Sequence, residues 1–138
     1  MNRREFLLRT ALASTAIATV PHVYSLANED WLEPADEVLL AHPYYKIVYD
    51  IGMAPAVDLA GRARKYGLTA AAIEGDITEL WNSDLRPHWK KGPSWIAGVT
   101  SPASLFLLVQ MAKDEKHRIT YRHELNSEAC LWIIGPGA

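Results

Sequence analysis

Hydrophobic and polar positions along this chain switch repeatedly between the alternation of a strand and the three-to-four spacing of a helix. The pattern is densest in SWIAGVTSPASLFLLVQMA, from Ser94 to Ala112. Trp95 to Val99 is a short apolar run bounded by Pro93 and Thr100, which suits a strand covered on both faces. Ser101 and Pro102 are the N-cap and first-turn proline that open a helix. Leu105, Leu108, Val109 and Ala112 then recur at helical spacing, and Phe106, Leu107 and Met111 widen the stripe until little of it is left for water.

Upstream, YKIVY from Tyr45 to Tyr49 is rich in β-branched and aromatic residues and predicts a first strand ending at Asp50. Gly52 permits a turn into a helix with Pro55 in its first turn and Gly67 at a left-handed C-cap. Val57, Ala60, Gly61 and Arg64 mark the face expected to meet the sheet. Leu68 to Glu74 predicts a second strand, weakened by its alanines. Asp76-Ile77-Thr78-Glu79 has the form of a capping box before a short helix whose apolar face is Ile77, Leu80, Trp81 and Leu85. Pro87 predicts that this helix yields by Arg86, leaving PHWKKG as one turn or a covering loop with a packed Trp89.

Downstream, Arg118 to Arg122 alternates polar and apolar and predicts a fourth strand with one solvated face, while Ala129 to Ile134 is an apolar fifth strand. The connection between them is too short to cross over, so they should be antiparallel. The elements together predict an α/β domain: a small three-layer, mostly parallel sheet of four or five strands in the order 2-1-3-4-5, the last strand antiparallel, with about three helices and right-handed crossovers. Residues 44–138 form the expected domain and residues 28–43 an acidic, proline-punctuated arm, with Val38 to Leu40 adding a helical turn and Trp31 and Leu32 docking it.

In such sheets ligands sit beyond the carboxyl ends of the strands, where the strand order reverses. That rule brings Asp50 and Gly52 together with Gly98, Thr100 and Ser101, with Glu74 and Asp76 nearby. Free N–H groups at the helix N-terminus after Ser101 would favour an anion, and Asp50 could serve as a base or a hydroxyl acceptor. Plain capping and turn chemistry explains the same residues without a ligand.

The first residues read differently. Met1 to Arg9 is charged, and Thr10 to Val20 is a mildly apolar, Ala- and Thr-rich run too short to span a bilayer. Arg3, Arg4, Glu5, Phe6 and Leu7 resemble the twin-arginine (Tat) export signal: two arginines, any residue, then Phe-Leu. Asn2 stands where Ser or Thr is common and Leu8 where Lys is frequent. Ser25-Leu26-Ala27 offers small residues for a signal peptidase, so residues 1–27 are expected to leave by cleavage before Asn28; an uncleaved leader would leave the protein membrane-anchored. The resemblance implies export of a folded protein to the periplasm through the Tat translocase, and an association with exported redox enzymes. Beyond the leader, the mature domain resembles small exported bacterial proteins without an assigned activity.

Charge and composition narrow the chemistry. Removing Glu5 and Arg3, Arg4 and Arg9 from the 16 acidic and 14 basic residues leaves 15 against 11, a mature charge near −4, which disfavours nucleic acid as a partner. The single cysteine, Cys130, allows no intramolecular disulfide and reads as a small buried hydrophobe. The chain contains no G-x-G-x-x-G, no G-x-x-x-x-G-K-[ST] and no G-x-S-x-G, so the usual dinucleotide, nucleotide-phosphate and serine-hydrolase sites are not indicated. One cysteine excludes covalent c-type haem attachment and a cysteine-held cluster. His42, His88, His117 and His123 are scattered at spacings that match no closed zinc site. No cofactor or metal is therefore expected. The leading expectation is a non-catalytic accessory or ligand-binding subunit of an exported redox enzyme. The alternatives are a small enzyme built on Asp50, Asp76, Thr100 and Ser101, and a membrane-tethered structural subunit.

Overall fold

The computed structural model describes residues 34–137. The expectations for the leader (Arg3, Arg4, Phe6, Leu7), for cleavage before Asn28 and for Trp31 and Leu32 fall outside the described residues. No helix among the described residues is long and apolar enough to cross a membrane.

The first described helix, α1 (residues 34–41), extends the single turn expected around Val38 and buries Ala35, Val38 and Leu39. Then come β1 (Tyr44–Asp50), α2 (Ala54–Lys65), β2 (Ala70–Ile73), α3 (Thr78–Leu80), a π-helical turn (Trp81–Leu85), α4 (Arg86–Lys91), β3 (Trp95–Thr100), α5 (Pro102–Lys113), β4 (His117–Glu124) and β5 (Cys130–Pro136). The architecture is α/β, as expected, but the described residues hold more helical segments than the three or so expected, because residues 34–41 add α1 and the run from Thr78 to Lys91 is divided into α3, the π-helical turn and α4. The five strands form one mixed sheet in the order β2-β1-β3-β5-β4. The pairs β1·β2 and β1·β3 are parallel, while β5 runs antiparallel to both β3 and β4.

The expected order 2-1-3-4-5 is corrected at its last two places. β5 sits inside, between β3 and β4, and the physical reason lies in the two strands themselves. CLWIIGP is buried from Cys130 through Gly135, so it needs cover on both faces and a neighbour on each edge. HRITYRHE carries charges and alternates in exposure, which suits the rim.

The helix expected to stop at Arg86 continues. In a regular α-helix the Pro87 ring would meet the carbonyl four residues earlier; here the Arg86 N–H reaches back five residues to the Trp81 carbonyl, and the extra residue in the turn displaces the carbonyls that the ring would strike. The same turn keeps one face in register. Ile77, Trp81, Leu85 and Trp89 are all buried and recur every four residues, a period that would drift by about 40° per repeat on an ideal helix. A wider π-turn pulls the stripe back over the sheet. Trp89 is thus packed as expected, and of the two forms expected for PHWKKG, one turn or a loop, it is the helical one that occurs.

On α2 the buried face is Ala56, Leu59, Ala60 and Ala63, with Val57 47% exposed. The expected face was rotated by about one residue, because the spacing fits both and the largest aliphatic side chain, Leu59, decides. The C-cap follows expectation: Gly67 has φ 79°, a backbone that glycine adopts without strain. Asp36 of α1 pairs with Arg62 of α2 at 2.9 Å, joining the two helices.

One core layer lies under α3, α4 and α5 and contains Val48, Trp81, Trp89, Ile96, Leu105, Leu108 and Trp132. Its centre is set by Gly98, whose register partners are Val48 on β1 and Trp132 on β5. A Cβ on Gly98 would lie 2.3 Å from the Val48 carbonyl oxygen and 2.8 Å from Trp132 Cζ2, so the space of the missing side chain is taken by the β1 backbone and by the indole together. Replacing Gly98 by alanine should cost about 1–3 kcal/mol through overpacking, read as a lowered urea midpoint with unchanged slope. A variant as stable as wild type would show that the β1 backbone and the indole can both give way at no cost.

Candidate functional site

The carboxyl ends of β1, β2 and β3 are where ligand chemistry was expected, and the residues converge there unevenly. Asp50, the last residue of β1, is 6% exposed and its Oδ1 accepts the Gly52 N–H at 2.9 Å. The carboxylate therefore closes the β1–α2 turn; the N-cap of α2 is Met53, with no side-chain cap. Thr100, the last residue of β3, is buried; its Oγ1 accepts the Trp132 Nε1–H at 3.0 Å and donates to the Ser101 carbonyl at 3.2 Å. Ser101 caps α5 as expected, its Oγ accepting the Ser104 N–H at 3.1 Å. The Ser104 hydroxyl in turn donates to the Gly75 carbonyl at 3.3 Å, tying the start of α5 to the loop after β2.

Asp50, Gly52, Thr100 and Ser101 thus lie at the strand ends, each polar side chain bonded within one or two turns of chain or to the core. Gly98 lies two residues deeper, beneath Trp132. Directly beneath these strand ends the core is filled: the Trp132 indole lies over Gly98 and donates to the buried Thr100 hydroxyl. Asp76 stands apart and exposed. Its Oδ1 accepts the Thr78 N–H at 2.9 Å, and that bond holds the Asp76 carboxyl below its ordinary value. The expected capping box is not formed in full, because the cap position is Ile77.

The open space lies to one side, beyond the edge of β2. A groove of about 530 Å³ is lined by Ala72, Ile73, Glu74, Asp76, Glu79, Leu80 and Ser83. Of the expected site residues it takes only Asp76, with the neighbouring Glu74. It exists because β2 is AAAI: alanines leave unfilled the volume that larger strand residues would occupy. A second groove of about 380 Å³ lies between α5 and β4, lined by Leu105, Phe106, Val109, Ile119, Thr120, Tyr121 and Arg122.

A polar cluster that the sequence reading missed joins β1 to the π-turn. The Tyr45 hydroxyl donates to Asp84 Oδ1, Lys46 Nζ lies 2.7 Å from Asp84 Oδ2, and His88 stacks on the Tyr45 ring with centroids 3.4 Å apart. The bond to Asp84, aided by burial and by the carboxylate charge, pushes the Tyr45 phenol up to about 12. Burial pulls the Asp84 carboxyl upward, but the bonds from Lys46 and Tyr45 and the nearby positive charge outweigh it and hold the group below its ordinary value. The phenol keeps its proton and the carboxylate stays ionised near neutrality, so neither is poised to exchange one. The available signal was the i, i+4 spacing of Asp84 and His88 on one helix face.

A second missed cluster surrounds His117, which is buried against Trp89 at 3.8 Å between ring centroids. The ring accepts the Ser94 N–H at Nε2 (3.2 Å) and faces the Glu115 carbonyl at Nδ1 (2.6 Å). A carbonyl can only accept, so Nδ1 carries the hydrogen and Nε2 is already used. That leaves His117 no lone pair for a metal. No group of three or more metal-ligating side chains occurs among the described residues.

Because the folded Asp84 carboxyl lies below its unfolded value, its contribution is full above the ordinary carboxylate range and is lost as pH falls through the folded value. Asp84→Asn should lower stability by about 1–3 kcal/mol at neutral pH and flatten the loss of stability between pH 5 and 2 (roughly the span over which carboxylates titrate). An acid limb identical to wild type in chemical denaturation would contradict the role given to this carboxylate. No protein-family model, no curated protein sequence and no solved structure matches the chain.

Proposed function

We propose that this chain is an exported, non-catalytic accessory subunit that works by docking to a redox enzyme in the periplasm. The observation that carries this reading is the state of the strand-end residues. Asp50, Thr100 and Ser101 each hold the local structure through a hydrogen bond of their own, and Asp76 is exposed with its carboxyl lowered and not raised. A catalytic carboxylate at that edge would need to sit in a pocket with its proton affinity tuned toward the working pH.

An accessory subunit needs an apolar surface for its partner. Trp89 and Trp132 offer no such surface, since both are buried. The surface that supports the reading lies on α5, where Phe106 is 63% and Leu107 48% exposed beside the α5–β4 groove. Aromatic side chains are enriched at protein interfaces, which makes Phe106 the anchor of this surface. The twin-arginine resemblance of Arg3, Arg4, Phe6 and Leu7 supplies the route and the class of partner.

Native purification from the periplasm should recover the protein with a redox enzyme, and Phe106→Ser combined with Leu107→Ser should lose that enzyme while keeping the wild-type melting curve. Recovery as a bare monomer with a measurable turnover that Asp50→Asn abolishes would replace this reading with that of a small enzyme. Changing Arg3 and Arg4 together to lysine should leave unprocessed protein in the cytoplasm, seen by fractionation; normal processing of that variant would refute the export route.

A further inference from the structure

The two edges of the sheet are built differently. β4 is eight residues long, carries Arg118, Arg122, His123 and Glu124, and is irregular between Ile119 and Tyr121. Charges and a bulge are the means by which an edge strand avoids pairing with another chain. β2 has four residues, AAAI, with no charge, no proline and an unbroken register against β1. The carbonyls of Thr69 and Ile73 accept the N–H groups of Ile47 and Ile51 at 2.8 and 3.0 Å. In a parallel ladder that places the N–H and C=O of the intervening Ala70 and Ala72 on the outer side. Among the described residues no strand pairs with that side.

At the carboxyl end of this strand, from Ala72 onward, lies the 530 Å³ groove, and its lining is ordered by chemistry. Ala72, Ile73 and Leu80 give it an apolar floor, Glu74, Asp76 and Glu79 give it three carboxylates, and no basic side chain lines it. A floor of aliphatic carbon below a rim of negative charge fits a side chain with an aliphatic stem and a cationic head. We propose that β2 receives an extended peptide segment bearing a lysine, from another protein. The segment pairs with Ala70 and Ala72 as a further strand and lays the lysine stem over Leu80 and Ile73 with its ammonium among the three carboxylates. Main-chain bonds give such strand addition its affinity, and the side-chain groove gives its selectivity. The edge is short, so the contact takes about four residues of the partner. This surface and the α5–β4 groove flank opposite edges of the sheet, so either can fail without the other.

The probe is acetyl-Val-Lys-Val-Lys-Val-amide, titrated into the full mature chain at low salt, with the Val-Glu-Val-Glu-Val analogue as control. Saturation with the lysine peptide should slow amide hydrogen exchange at Ala70 and Ala72 by about ten-fold or more. Glu74→Gln with Glu79→Gln, two exposed changes that leave the core intact, should weaken binding about five- to ten-fold, and added salt should weaken it for wild type. Phe106→Ser with Leu107→Ser should bind the probe as wild type does. Equal binding of the glutamate peptide, or exchange at Ala70 and Ala72 unchanged at saturation, would overturn the proposal. So would protection of those amides in the protein alone with sedimentation as a dimer, which would assign the edge to a second copy of the chain.

Discussion

The indole of Trp132 decides the shape of this molecule. It is wholly buried, stands opposite Gly98 in the β3–β5 register, and donates its N–H to Thr100 at 3.0 Å. Three consequences share that one side chain. β5 must lie next to β3, because only there does the ring find a residue without a Cβ. Thr100 must be buried at the end of β3, because a buried indole N–H without an acceptor costs about 1–3 kcal/mol. The layer just beneath the carboxyl ends of β1 and β3, where an open parallel sheet offers its ligand crevice, is packed core held to the last residue of β3.

From that closure the remaining architecture follows. At the strand ends above this core the polar residues hold local structure: Asp50 closes a turn, Ser101 caps α5, and Ser104 ties α5 to Gly75. Free surface is displaced to the flanks, as an acidic groove beside β2 and an apolar one between α5 and β4. The π-turn serves the same core from the other side by keeping Trp81, Leu85 and Trp89 on one face. Asp84 within that turn is pinned by Tyr45 and Lys46 of β1, so the irregular helix is anchored where it is widest.

Much of this was written locally in the chain. Ser101-Pro102 announces α5, Gly67 ends α2, and the apolar run Trp95 to Val99 announces β3, because caps, prolines and strand runs act through neighbouring residues. The hairpin of β4 and β5 was legible from its short connection. Its orientation was not taken from the sequence, although a signal existed: a strand apolar at every position belongs inside, and one with Arg118 and Arg122 belongs outside. The continuation through Pro87 was hidden for another reason. The rule for residues before proline assumes a regular turn, and the four-residue repeat of Ile77, Trp81, Leu85 and Trp89 was the sign that the turn would be wider. The candidate site was legible as a set of residues at one edge, but not as a closed one, since closure depends on Trp132 reaching across from a strand thirty-odd residues away.

A closed core beneath the strand ends, built on a buried indole bonded to Thr100, is open to one direct measurement: hydrogen exchange at the Trp132 indole N–H, followed by NMR across a series of low denaturant concentrations. A sealed core predicts that this proton exchanges only through global unfolding, with the same free energy and denaturant slope as the slowest backbone amides of β3 and β5. Exchange that is fast and insensitive to denaturant would mean that water reaches the indole in the native state, and the closed core on which the rest of the structure is built would not exist.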